Sequence, residues 1–198
     1  MDIIIENLNS IIGNDKLEGN CMYKHNSKFK LREGIDCENL RYNLGKLGEI
    51  SNNILEIGFN GGHSCVLMLN KNENAKYVAM DIGKHNYTRR CVEYLQKKYN
   101  IEYIEGDSKK TLLDYNPSEK FNLIHVDGGH GIRTCKSDIV NSKKFSDDNT
   151  ILLVDDTDNE KIGNLLNNMI DTNFLIEIDF NKLDLKDTKY QRVFNYIF

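Results

Sequence analysis

From about Asn52 onward, two kinds of hydrophobic pattern alternate along the chain. Five short apolar runs, NNILEIG, KYVAMD, IEYIEGD, FNLIHVD and TILLVDD, each end on glycine or aspartate. Continuous runs of Ile, Val and Leu suit strands buried on both faces, as in a parallel sheet covered by helices on each side. Between them Tyr87, Cys91, Tyr94, Leu95 and Lys98 recur every three or four residues. So do Ile132, Cys135 and Ile139, and then Ile162, Leu165, Leu166, Met169 and Ile170. That spacing places each set on one side of a helix. Strand–helix alternation repeated this often predicts a doubly wound α/β fold with right-handed crossovers.

The two ends depart from the pattern. Ile4, Ile5, Leu8, Ile11 and Ile12 form one helical stripe over residues 2–12, and a second helix carries Cys37, Leu40, Leu44 and Leu47 toward the sheet. FLIEIDF (174–180) and YQRVFNYIF (190–198) read as strands with no helix-length segment between them, which predicts an antiparallel hairpin at one sheet edge. The expected architecture is a mostly parallel seven-stranded sheet. No repeat or flexible linker interrupts it, so residues 1–198 are expected to form a single domain. Residues 1–50 would be a helical cover and lid, and 51–198 the core. The polar stretch from Leu17 to Leu31, with Glu18, Gly19, Asn20, Tyr23 and His25, is the expected lid.

Composition narrows the partners. The 198 residues carry a net charge of -4, so no basic field favours nucleic acid. No apolar run approaches the roughly 18 residues of a membrane span. The opening MDIIIENLNSII has acidic residues where a secretory leader carries positive ones. Cys21, Cys37, Cys65, Cys91 and Cys135 are odd in number and contain no C-x-x-C pair. They read as reduced core thiols of a cytoplasmic protein.

Open parallel sheets bind ligands in the crevice outside the carboxyl ends of their strands, and the unusual residues fall there. The first run ends Glu56-Ile57-Gly58-Phe59-Asn60-Gly61-Gly62-His63-Ser64, followed by CVLML. Glycines at such a turn let backbone approach a ligand, and N–H groups at a helix start receive anionic groups. A dinucleotide fingerprint needs glycine at 58, 60 and 63, where Asn60 and His63 fill two of the places. The pattern E-x-G-x-x-x-G instead resembles the first motif of the class I S-adenosylmethionine-dependent methyltransferases. LEIGFNGGHS is close to the subgroup of small-molecule and sugar O-methyltransferases related to catechol O-methyltransferase. The resemblance runs from about residue 50 to the C-terminus. It implies a Rossmann-like fold and a donor site built on Glu56, Gly58, Asn60, Gly62, His63 and Ser64, with His63 acting through its backbone.

Asp81 ends the second run at about the interval where an acid meets ribose hydroxyls, although a strand-end acid also caps helices. Asp107 and Ser108 end the third and resemble the adenine-contacting pair of the family; either could equally cap the next helix. In FNLIHVDGGH, the resemblance makes Asp127 a metal ligand and donor contact. His130 stands three residues later, where catechol enzymes have a lysine base and sugar enzymes with D-x-x-H use histidine. Val154-Asp155-Asp156-Thr157 aligns with the remaining ligands, so Asp127, Asp155 and Asp156 would converge on one Mg²⁺ or Mn²⁺.

The chemistry explains the need for both parts. A hard cation holds and acidifies a hydroxyl, and an imidazole removes its proton. His130 and Asp127 are therefore the expected catalytic pair. Capping of the following helix by 155–157, a metal-free methyltransferase, and a non-catalytic binding or assembly subunit stand as alternatives. His125 reads as a buried strand histidine, and His25 and His85 as surface or loop residues. A compact hydroxylated acceptor, a sugar above others, fits so short a chain. The terminal hairpin and N-terminal helix are candidate surfaces for a homodimer.

Overall fold

The computed structural model describes every residue except Gly19, which belongs to the expected lid. The apolar runs form strands β1 (Asn53–Ile57), β2 (Lys76–Asp81), β3 (Ile101–Glu105), β4 (Leu123–Val126) and β5 (Ile151–Val154), followed by β6 (Leu175–Glu177) and β7 (Arg192–Tyr196). They make one sheet in the order β3-β2-β1-β4-β5-β7-β6. The first five are parallel, and β7 runs antiparallel between β5 and β6. The terminal hairpin is thus present, with its second strand on the inside.

Among the described residues, seven α-helices flank the sheet: α1 (Asp2–Ile12), α2 (Ile35–Glu49), α3 (His63–Leu69), α4 (Asn86–Leu95), α5 (Ser108–Asp114), α6 (Ile132–Ser142) and α7 (Glu160–Asp171). Burial on both faces explains the unbroken apolar runs. Within β1, Ile54 joins the core formed with α1 to α4, whereas Leu55 and Ile57 join the one formed with α5 to α7. Helix α4 stops at Leu95, so Lys98 lies beyond the stripe assigned to it and pairs with Glu73 at 2.8 Å. All five cysteines are free and buried, and no helix among the described residues is long and apolar enough to cross a membrane.

The N-terminal helices are fastened to the core by the stripes that periodicity marks and by contacts that it does not. Helix α1 buries Ile5, Leu8 and Ile12, and its Asn7 donates to the Tyr94 hydroxyl on α4 at 2.8 Å. Helix α2 meets α3 at Gly48, where a Cβ would lie 2.5 Å from the Met68 backbone. The backbones touch, so no side chain fits between them. Gly→Ala inside a helix ordinarily stabilises by about 1 kcal/mol. Gly48→Ala should instead destabilise by about 1–3 kcal/mol, because overpacking dominates. A urea midpoint at or above that of the parent protein would contradict this packing.

Candidate active site at the strand ends

The strand order reverses between β1 and β4, and a cavity of about 430 Å³ opens at the carboxyl ends beside that point. Its floor is the turn after β1. Gly58 has φ 104°, and a Cβ there would sit 2.1 Å from the Asp127 carbonyl oxygen. A side chain at 58 would therefore first push the turn off the end of β4. The close strand contact requires this glycine before any ligand does. Asn60 takes the left-handed conformation (φ 52°) that asparagine tolerates better than most residues.

Asp81, at the end of β2, holds this turn in place. One of its oxygens accepts from the Asn60 N–H and the other from the Gly83 N–H, each at 2.8 Å. A carboxylate has about four acceptor positions, so Asp81 retains capacity toward the cavity that it lines. Tyr87 on α4 donates to the Asn60 side chain at 2.6 Å. Periodicity assigned Tyr87 to the core stripe only; the one available sign of a second role was a hydroxyl at an otherwise apolar position. Asp107 caps α5 by accepting from the Lys109 N–H at 3.1 Å. Asp107 and Ser108 both line the cavity, so capping α5 leaves both residues at its wall.

Two expected site residues stand elsewhere than the resemblance implied. Glu56 is fully buried and does not line the cavity. Its Oε1 accepts from the Ser64 hydroxyl and faces His125 Nδ1 at 3.1 Å. It supports the turn from below and makes no surface for a donor. His125 Nε2 faces Asp155 Oδ1 at 3.4 Å. The group whose ligand atoms lie within 4.8 Å of one another is consequently His125, Asp127 and Asp155. Asp156, expected as the third acid, is not in it. Its left-handed backbone (φ 60°) turns the side chain to His130 Nδ1 instead. Helix α7 is capped by Asn159, which leaves residues 155–157 free of that duty.

The electrostatics follow from these contacts. Burial, then the charge of Asp155, pushes the Asp127 carboxyl well above the usual carboxylate range. Burial alone would depress His125, but Asp155 and Glu56 outweigh it and raise the imidazole well above its ordinary value. His130 is largely exposed, lines the cavity, and is raised chiefly by its bond to Asp156.

The segment expected to be a lid supplies Glu18, Asn20 and Cys21 to the cavity. Glu18 meets Lys84 at 3.1 Å and His85 at 3.2 Å, on the loop after β2. Burial would raise the Glu18 carboxyl, yet these two partners lower it. His85, read from sequence as a plain loop residue, stacks on Tyr87 with ring centroids 5.0 Å apart and so links this segment to α4. His25 is exposed on the same segment, as expected. His63 is buried edge-on against Tyr23, with Nε2 3.4 Å from the Asn9 side chain.

A family model described as a methyltransferase domain matches residues 55–157, a little over half of the chain. No curated protein matches the sequence significantly. Several solved structures share the fold. An S-adenosylhomocysteine-bound methyltransferase from Podospora anserina is 14% identical with a TM-score of 0.67, covering 100% of this chain and 89% of that one. An O-methyltransferase from Bacillus cereus, also with S-adenosylhomocysteine, is 14% identical with a TM-score of 0.67 and coverage of 98% and 91%. A TDP-rhamnose 3′-O-methyltransferase of calicheamicin biosynthesis is 16% identical, with a TM-score of 0.61 and coverage of 80% and 78%.

Burial lowers His63 to about 4, so the folded state favours the neutral ring. Its contribution to stability is complete above the unfolded value near 6.5 and is lost as pH falls from there toward 4. At 1.36 kcal/mol per unit, the loss should approach about 3 kcal/mol. Urea titrations at pH 7 and pH 4.5 should show His63→Gln losing less stability than the parent protein. Equal losses would place the acid sensitivity elsewhere.

Proposed function

The chain belongs to the methyltransferase-domain family whose model its residues 55–157 match, and on that premise we propose that it transfers a methyl group from S-adenosylmethionine to a hydroxyl of a small molecule, with sugars the favoured class. The observation that carries the proposal is the pairing of His130 with Asp156 at the cavity wall, three residues beyond Asp127. The bond to Asp156 holds Nδ1 as the N–H nitrogen, which leaves Nε2 to take a proton from an acceptor hydroxyl. The bound donor supplies an electrophilic methyl on a sulfonium. The turn from Gly58 to Ser64 and the acids Asp81 and Asp107 hold its ends, so that orientation supplies much of the rate.

Asp127 and Asp155 suit a hard divalent cation, since Mg²⁺ is commonly held by one or two carboxylates and keeps several waters. Such an ion, when bound, acidifies a hydroxyl it contacts. His125 would serve from behind, keeping Asp155 directed at the site. The metal-free reading draws on the same residue, because an imidazole wedged between Glu56 and Asp155 already balances part of the buried charge. Sugar is favoured by the lining. Glu18, Asn20, Lys84 and His130 offer hydrogen bonds, whereas the described lining contains no Trp or Tyr and only Phe59 among phenyl rings. The fold shared with a TDP-rhamnose enzyme points the same way.

Calorimetry should detect S-adenosylhomocysteine, and Asp81→Ala should weaken it by about 1–3 kcal/mol. His130→Ala should lower turnover by about 10²–10⁴-fold while leaving donor affinity nearly unchanged. Because Asp156 favours the imidazolium, the rate should rise with pH through an apparent pKa above the ordinary histidine value of about 6.5. Asp156→Asn should bring that limb down toward 6.5, and an unmoved limb would remove His130 as the base. Loss of turnover in chelator with donor binding intact supports the cation. Full turnover in chelator selects the metal-free reading.

A further inference from the structure

Asp138 on α6 is fully buried, and the chemistry above makes no use of it. Neither carboxyl oxygen has a hydrogen-bond partner. A carboxyl in that position is costly unless some group meets it, so its retention calls for a partner. Its surroundings indicate which. Oδ2 lies 3.4 Å from the place a Cβ on Gly128 would occupy, so the Gly128 backbone packs directly against it. On the other side its electrostatic neighbour is the hydroxyl of Ser108, the first residue of α5, which packs along α6, although the two do not form a full hydrogen bond in the structure. Gly128 and Ser108 both line the cavity, at the end that Asp107 also borders. Burial raises Asp138 to about 6, a shift that Ser108 opposes.

We propose that Asp138 is a positioning residue for nucleobase recognition: when an adenine occupies the cavity, Asp138 accepts the Ser108 hydroxyl hydrogen and so leaves the Ser108 oxygen to accept from the exocyclic amine. The inference rests on the donor reading above and adds a residue to it. A hydroxyl has a single hydrogen and two acceptor positions. Once Asp138 takes the hydrogen, Ser108 presents only acceptor character to the ligand. Asp107 is also an acceptor, with one oxygen already used by the Lys109 N–H. Two acceptors match the two hydrogens of an amine and mismatch the carbonyl of a hypoxanthine base. An amide at 138 can donate to Ser108 instead, which releases the serine hydrogen toward the cavity and erases the distinction.

The test is calorimetry on the full chain with S-adenosylhomocysteine and its deaminated counterpart, S-inosylhomocysteine. The parent protein should prefer the adenine compound by about tenfold or more, the worth of one net hydrogen bond. Asp138→Asn should shrink the preference to about threefold or less, mainly through weaker binding of the adenine compound. Ser108→Ala should do the same, and the double variant should lose nothing further, because both act through one hydroxyl. A merely structural Asp138 would weaken both ligands alike and leave their ratio unchanged, which overturns the proposal. If Asp138→Asn does not fold, Ser108→Ala decides: an unchanged ratio overturns the proposal, and a collapsed ratio supports it. A parent protein that binds neither compound overturns the donor reading itself, an outcome separate from the others.

Discussion

The contact between the Gly58 turn and the end of β4 is the constraint on which the site depends. Gly58 donates to the Met80 carbonyl at 2.8 Å, and Asp127 donates to the Ile57 carbonyl at 2.9 Å, so the sheet ladder continues across β2, β1 and β4 up to the cavity floor. With no Cβ at 58, the turn lies directly on the Asp127 carbonyl. Asp81 then fixes the far side of the turn through two backbone N–H groups. The acids at the ends of β2 and β4 therefore share one hydrogen-bonded frame.

Beneath that frame the fold buries charge in an ordered way. Glu56 and His125 are neighbours across the β1–β4 pair, and Asp155 ends the flanking strand, so one imidazole lies between two carboxylates. Burying these groups singly would be prohibitive; pairing offsets much of the cost. Adjacent acids serve opposite directions. Asp155 faces down to His125, and Asp156, with its left-handed backbone, faces outward to His130. One short turn thus assigns each acid its own histidine.

The N-terminal cover is tied to the same frame by a chain of polar contacts. Glu18 holds Lys84 and His85, His85 stacks on Tyr87, and Tyr87 donates to Asn60 in the glycine turn. These residues join the N-terminal cover to the cavity floor. Stacking and hydrogen bonds of this kind carry much of the organisation that apolar packing leaves open.

The sequence by itself determined the alternation of strands and helices, the terminal hairpin, the crevice and the glycine turn beneath it. Each is a local matter: a strand buried on both faces reads as a continuous apolar run, and a helix as a three-to-four spacing. Asp81, Asp107 and Asp127 stood out as candidates because they lie at strand ends, and His130 because it follows one, where that architecture places its crevice; all four line the cavity. Only the tertiary structure decided that Glu56 supports the turn from within, that Asp156 serves His130, and that Gly48 admits the α2–α3 contact. It also showed that His85, a loop residue as expected, meets Glu18 of the N-terminal segment. These choices depend on cross-strand neighbours, on the sign of one backbone angle and on the distance between two helices. None of them leaves a periodic trace along the chain, since the partners lie far apart in sequence and meet only when the sheet is assembled.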